Sequence, residues 1–143
     1  MIGFIVTGHG SFAPGLVGAV EMIAGEQTAF RTIPFLEGES IDAFEEKMKA
    51  ETTTLLNETG GVIIFSDLLG GSPFRAAMLA AADQEKVEVV AGTNLPMLIE
   101  GVGMRSFEKK LSVLLTNLLE TGQAGMVHAQ LQIREDEAEE EGI

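Results

Sequence analysis

The sequence predicts an α/β fold in which four parallel strands are covered by helices and a C-terminal edge strand follows. Three observations carry that expectation. Short apolar, β-rich runs over residues 2–7, 28–35, 62–66 and 87–91 alternate with stretches of helical periodicity. Three of these runs lead into a small-residue loop and then a proline, Pro14, Pro73 or Pro96, a residue suited to the first turn of a helix. Finally, 143 residues, 45% of them hydrophobic, suffice for one core and are short for two.

The elements follow in order. Ile2-Gly3-Phe4-Ile5-Val6-Thr7 has no Lys or Arg ahead of it and reaches Gly8-His9-Gly10 at once, so it reads as a buried strand and not as a secretory leader. After the second run, Ile41, Phe44, Met48, Leu55 and Leu56 keep a helical period, Ser40 can cap the start, and Asp42, Glu45 and Glu46 suit the positive end of the dipole. Gly60-Gly61 stops that helix. Beyond the fourth run, helices are expected over residues 96–104 and 106–121, with Gly122 as the terminator. Over residues 126–133, Val127, Ala129, Leu131 and Ile133 alternate with His128, Gln130 and Gln132. That is the pattern of an edge or antiparallel strand with one face exposed, able to pair within the chain or across a dimer. His128 lies on its polar side and reads as a surface or interface residue. Six acids in the seven residues from Glu135 to Glu141 read as a solvated, disordered tail. The expected organisation is one domain over residues 1–133 and an acidic tail over 134–143.

Charge and composition exclude several function classes. Nine Lys and Arg against 22 Asp and Glu give a formal charge of −13, which disfavours nucleic acid or an anionic membrane and favours a basic partner. Without the six tail acids, nine bases against 16 acids still leave −7. The absence of cysteine removes disulfides, thiolate metal sites and a cysteine nucleophile. The apolar stretches are broken by Asp67, Asp83, Glu88, Asn94 and Glu100 short of a membrane span, so a cytoplasmic chain is expected.

In a parallel sheet, the three strand-loop-helix corners share the carboxyl edge, where open α/β folds bind ligands. His9, between two glycines, would project its imidazole there. Neutral imidazole is a nucleophile near neutral pH and can carry a phosphoryl group if a partner fixes its tautomer. Asp67, at the end of the third run, can be that partner. Gly70-Gly71-Ser72-Pro73 resembles a phosphate cradle, with backbone N–H groups, a helix N-terminus and the Ser72 hydroxyl as donors. Plainer roles remain open: a loop histidine, a capping aspartate, a turn with a serine cap, and Asn94 as a turn residue. Phe12, Leu68, Leu69, Phe74 and Met97 lie in or beside the same loops, as an apolar rim for docking a partner or as core. A competing motif, Gly8-His9-Gly10-Ser11-Phe12-Ala13 with Glu37 beyond the second run, matches a dinucleotide fingerprint, but Pro14 and the crowding imidazole count against it. No P-loop pattern is present, so phosphate is expected to arrive on a protein.

These residues carry a resemblance. Ile5-Val6-Thr7-Gly8-His9-Gly10, Asp67-Leu68-Leu69-Gly70-Gly71-Ser72-Pro73-Phe74 and Gly92-Thr93-Asn94-Leu95-Pro96-Met97-Leu98 resemble, in order and spacing, the enzyme IIA component of the mannose family of the bacterial phosphoenolpyruvate-dependent sugar phosphotransferase system. The resemblance implies a flavodoxin-like three-layer fold and a homodimer whose C-terminal strand can be exchanged. It also implies a cytoplasmic phosphoryl relay. In that relay His9 accepts phosphate from the histidine-containing phosphocarrier protein and passes it to a IIB component, for sugar uptake through membrane IIC and IID components. Asp67 would orient His9, Gly70, Gly71 and Ser72 would hold phosphate, and neither metal nor cofactor is needed. Some relatives fuse IIA to IIB; here IIB is expected as a separate protein or beyond residue 143. Other classes remain: a binding module switched by phosphorylation of His9, the phosphodonor of a dihydroxyacetone kinase, and a small dinucleotide-binding oxidoreductase.

Overall fold

A computed structural model describes residues 1–132. The acidic tail and Ile133, the last residue of the alternating run, lie outside the described residues. Four strands, β1 (Gly3–His9), β2 (Phe30–Phe35), β3 (Val62–Phe65) and β4 (Val87–Val90), form one parallel sheet in the order β2-β1-β3-β4. Five helices complete the described chain: α1 (Phe12–Ala24), α2 (Ile41–Glu58), α3 (Ser72–Ala81), α4 (Leu95–Met104) and α5 (Leu111–Ala124). Parallel strands covered on both faces must be apolar throughout, and Phe4, Ile5, Val6 and all four residues of β3 are fully buried.

Alternation along the strands divides the core in two. Phe4, Val6, Ile63, Phe65 and Val90 pack against Val17 and Val20 of α1, Leu98 of α4 and Leu114 and Leu118 of α5. On the other face, Ile5, Ile33, Val62, Ile64 and Val87 meet Phe44, Met48 and Leu55 of α2 and Ala76, Ala77 and Ala80 of α3. The result is the expected three-layer sandwich. The chain runs outward from β1 to β2 and returns past β1 to β3, so neither connection crosses the gap between the carboxyl ends of β1 and β3. In open α/β sheets this switch point is where ligands bind.

Caps follow the sequence closely. The Ser40 hydroxyl accepts the Ala43 N–H (3.3 Å) at the start of α2, and the Asn94 carboxamide accepts that of Met97 (3.2 Å) at the start of α4. Asn94 also donates to the carbonyl of Gly122 (2.8 Å), tying α4 to α5. Its turn role therefore holds.

One expectation is corrected, and another is not met within the single chain. The last helix starts at Leu111, not at residue 106, and Gly122 lies inside it. After α4 the chain turns away because Arg105 is pinned at the amino edge of the sheet, and the N–H groups of Phe107 and Glu108 both return to the carbonyl of Met104. Gly122 marks helix contact and not helix end: a Cβ there would lie 2.6 Å from Met97 Cε. Residues 126–132 form no strand, and all are exposed. A strand exists only against a partner, and no described strand of this chain pairs with that run.

Arg105 itself carried no signal in the sequence. It is 1% exposed and donates to the carbonyls of Ile2 (3.3 Å), Ala29 (2.8 Å) and Thr28 and to Gln27 Oε1 (3.3 Å). Its guanidinium carbon lies 5.0 Å from the Phe4 ring centroid and 5.6 Å from that of Phe30. Burial lowers its pKa to about 10, so it stays cationic at neutral pH. Replacing it by leucine removes the guanidinium from all four acceptors, although the Ala29 carbonyl keeps the Phe4 N–H (3.0 Å), and Arg105→Leu is expected to lose about 2–4 kcal/mol. In urea unfolding the midpoint should fall at unchanged slope; an unchanged midpoint would show that the fork contributes nothing net.

Candidate active site

β1 outruns β3 at the carboxyl edge. Val6 is level with Phe65, so Gly8 and His9 extend beside the segment that follows β3, while His9 is level with Phe35 on the other side. Asp67 is the second residue after β3 and can approach β1 closely only because residue 8 lacks a side chain. A Cβ on Gly8 would lie 3.1 Å from Asp67 Cβ and Cγ and 2.6 Å from Phe12 Cδ1.

Two buried hydroxyl groups hold Asp67 from behind. Ser66 donates through Oγ to the carbonyl of Val90 (3.1 Å), and Thr93 donates through Oγ1 to that of Ser66 (2.7 Å). These bonds tie the end of β3 to the loop after β4. Thr7 Oγ1 similarly donates to the carbonyl of Ile33 (2.6 Å), joining β1 to β2.

At the edge, Asp67 Oδ2 accepts both the His9 backbone N–H (2.9 Å) and its ring Nδ1 (2.7 Å), while Oδ1 accepts the N–H of Leu68 (2.8 Å). Burial alone would raise the Asp67 pKa. The bonds from the His9 N–H, its ring and the Leu68 N–H, together with the charge of His9 when protonated, outweigh burial and lower it. An ionised carboxylate accepts only, so the neutral imidazole carries its proton on Nδ1 and keeps its lone pair on Nε2.

Nε2 faces a prepared environment. The His9 side chain is 49% exposed, against 11% for Asp67. Beside the ring lies Gly71, the N-cap of α3, where a Cβ would come within 2.9 Å of His9 Cε1 and 3.6 Å of Nε2. The turn before it needs Gly70, whose φ is 87°. In the first turn of α3, the N–H groups of Ser72 and Phe74 have no carbonyl four residues back within the helix, and Pro73 has no N–H to leave unpaired. The positive end of α3 and its free donors thus stand next to the imidazole, a setting for an anion. On the opposite side, Phe35 meets the ring edge-on with centroids 6.1 Å apart.

The expected site residues separate clearly. His9 and Asp67 are in contact, and Gly70, Gly71 and Ser72 form the turn beside them. Leu68 and Leu69 are exposed at 53% and 73%, as a docking rim requires; Phe12 and Phe74 are half-buried. Met97 is a correction: at 4% exposure it belongs to the core, because Asn94 caps α4 and turns the helix onto α5. Phe35, Ser66 and Thr93 were missed. A strand end at the same edge was the available signal for Phe35; the two hydroxyl groups look like ordinary strand and loop residues.

Of the two glycines around His9, Gly8 is covered by Phe12 and Asp67, whereas Gly10 is open. Among the described residues, no group of three or more His, Cys, Asp or Glu is placed to hold a metal ion. No helix among them is long and apolar enough to cross a membrane.

Comparison with known proteins gives one family. A family model described as PTS system fructose IIA component matches residues 3–119. The mannose-specific EIIAB component of the sugar phosphotransferase system (PTS) of Escherichia coli is 37% identical over 125 residues, 87% of this chain; the chain spans 38% of that protein's length. The PTS fructose-specific EIIA component of Bacillus subtilis is 35% identical over 118 residues, 82% of this chain and 80% of that one. Among solved structures, the phosphotransferase component EIIA of Streptococcus agalactiae superposes with a TM-score of 0.78 at 27% identity, covering 89% of this chain and 96% of the other.

The lowered pKa of Asp67 has a consequence for stability. A carboxylate whose folded pKa is depressed stabilises the fold fully above its ordinary value, 3.8, and loses that contribution as pH falls through the lower folded value. Urea titrations of wild type and Asp67→Asn are therefore expected to differ most near neutral pH and to converge as the pH falls below 3.8 through the lower folded value. A difference independent of pH would mean that the carboxylate charge is not what the site stabilises.

Proposed function

The chain belongs to the PTS system fructose IIA component family, and we propose that it works there as a phosphoryl relay through His9. The supporting observation is the 2.7 Å contact between Asp67 Oδ2 and His9 Nδ1, which leaves Nε2 unprotonated beside the first turn of α3.

The donor is the histidine-containing phosphocarrier protein. His9 Nε2 attacks its phosphorus in line; an N–P bond forms on Nε2, the donor's N–P bond breaks, and that electron pair returns to the donor ring. The His9 proton stays on Nδ1, and the positive charge that grows on the ring is met by Asp67. The phosphoryl oxygens are received by the N–H groups of Ser72 and Phe74 and by the Ser72 hydroxyl. Donor and product are both phosphohistidines, so the step is nearly balanced. The site therefore contributes position and water exclusion more than driving force. A IIB component then takes the phosphoryl group from Nε2, and sugar is phosphorylated during transport through IIC and IID components.

In this reading the relay unit is residues 1–133, cytoplasmic, and meets the membrane components through IIB. It is a homodimer. The exposed alternating run that begins at residue 126 finds in a second copy the strand partner that the described residues of its own chain do not give it.

The reading is tested by incubating the chain with phosphoenolpyruvate, enzyme I and the phosphocarrier protein and locating the modification by mass spectrometry at alkaline pH. One phosphoryl group on His9 is expected, none in His9→Ala, and about 10- to 100-fold slower transfer in Asp67→Asn through lost tautomer control. Labelling of His9→Ala would move the nucleophile elsewhere, and wild-type rates in Asp67→Asn would remove its orienting role.

A further inference from the structure

We propose that the pocket on the β2 side of His9 receives a cationic side chain, arginine or lysine, from the protein that delivers the phosphoryl group, and that Glu37 selects it. This rests on the relay reading above. The pocket measures about 280 Å³ and is lined by His9, Gly10, Phe35, Leu36, Glu37 and Gly38. It lies across the imidazole from the turn at Gly71, so a partner can fill it while its phosphoryl group is held at α3.

Its construction defines the occupant. The Gly10 N–H donates to the carbonyl of Phe35 (2.8 Å), fixing the loops after β1 and β2 to each other. Gly10 and Gly38 place no side chain over the mouth. Phe35 and Leu36 supply an apolar floor, on which the methylene stem of a long cationic side chain can lie. The charged end then needs an acceptor. Glu39 is committed, since its Oε1 accepts the Leu36 N–H (3.0 Å), but Glu37 is exposed and has no ion-pair partner among the described residues. A carboxylate beside an apolar floor, on a chain of formal charge −13, fits a cation and repels an anion. The volume suits one side chain and falls below the usual range for whole small-molecule ligands.

The consequence is donor selectivity. A carrier protein brings its own cation, which pairs with Glu37 as the two proteins dock. A small anionic phosphodonor brings none and meets the repulsion alone.

The test follows phosphorylation of wild type, Glu37→Gln and Glu37→Lys by two donors, the phosphorylated carrier protein and phosphoramidate. With the carrier, Glu37→Gln is expected to raise the half-saturating concentration about tenfold, with a shallower salt dependence and the loss falling there and not on the limiting rate; Glu37→Lys is expected to be worse. With phosphoramidate, both variants are expected to label about two- to threefold faster than wild type. Saturation of both variants at the wild-type carrier concentration would overturn the proposal. So would an equal loss with both donors, which would assign Glu37 a role common to any phosphoryl transfer. Failure of the relay reading is distinguishable, because wild type itself would then take no phosphoryl group from the carrier.

Discussion

Everything at the site depends on how closely Asp67 approaches the end of β1. The carboxylate reaches both the backbone and the ring of His9 with one oxygen, and that double contact requires Gly8 to be bare and the segment after β3 to lie beside β1. Parallel pairing sets Val6 level with the end of β3, so that Gly8 and His9 extend beside the segment carrying Asp67, and the outward connection to β2 keeps the crevice there open. Ser66 and Thr93 then hold Asp67 at that height by bonding the end of β3 to the loop after β4. A shift of an ångström in any of these would lengthen a charge-assisted contact whose strength falls steeply with geometry.

The imidazole is asymmetric as a result. One nitrogen is committed to a carboxylate, and the other is presented to the positive end of a helix that starts at its side. The same asymmetry extends outward, to backbone donors on the α3 side and to an apolar pocket with a free carboxylate on the β2 side. A group that is anionic at one point and carried on a cationic protein surface suits both halves. The exposed Leu68 and Leu69, in the loop between Asp67 and the turn, add apolar contact beside the reacting atoms.

Much of this was legible in the sequence because it rests on local rules. Buried parallel strands must be continuous apolar runs, and all four lie where the runs are, with no end shifted by more than two residues. Ser40 announced one helix through capping chemistry, while Asn94, read as a turn residue, proves to cap another. His9 between glycines and Asp67 at a strand end could be paired because a parallel sheet gathers its carboxyl ends on one edge. What stayed illegible depends on contacts between distant segments. Gly122 reads as a terminator and is a packing surface for Met97; Met97 reads as a loop neighbour and is core for the same reason. Arg105 looks like a surface cation, and only the fold brings four acceptors around it. The alternating run after residue 125 has the pattern of a strand, yet a pattern names no partner, and among the described residues no strand pairs with it.

In the proposed relay, Asp67 fixes Nδ1 as the donor and so makes Nε2 the atom that carries phosphate. This role is tested most directly by nitrogen–phosphorus correlation NMR on the phosphorylated protein, which identifies the ring nitrogen bonded to phosphorus. Coupling to Nε2 of His9 is expected, with Nδ1 protonated and hydrogen-bonded to Asp67. Phosphorus on Nδ1, or on any residue other than His9, would contradict it.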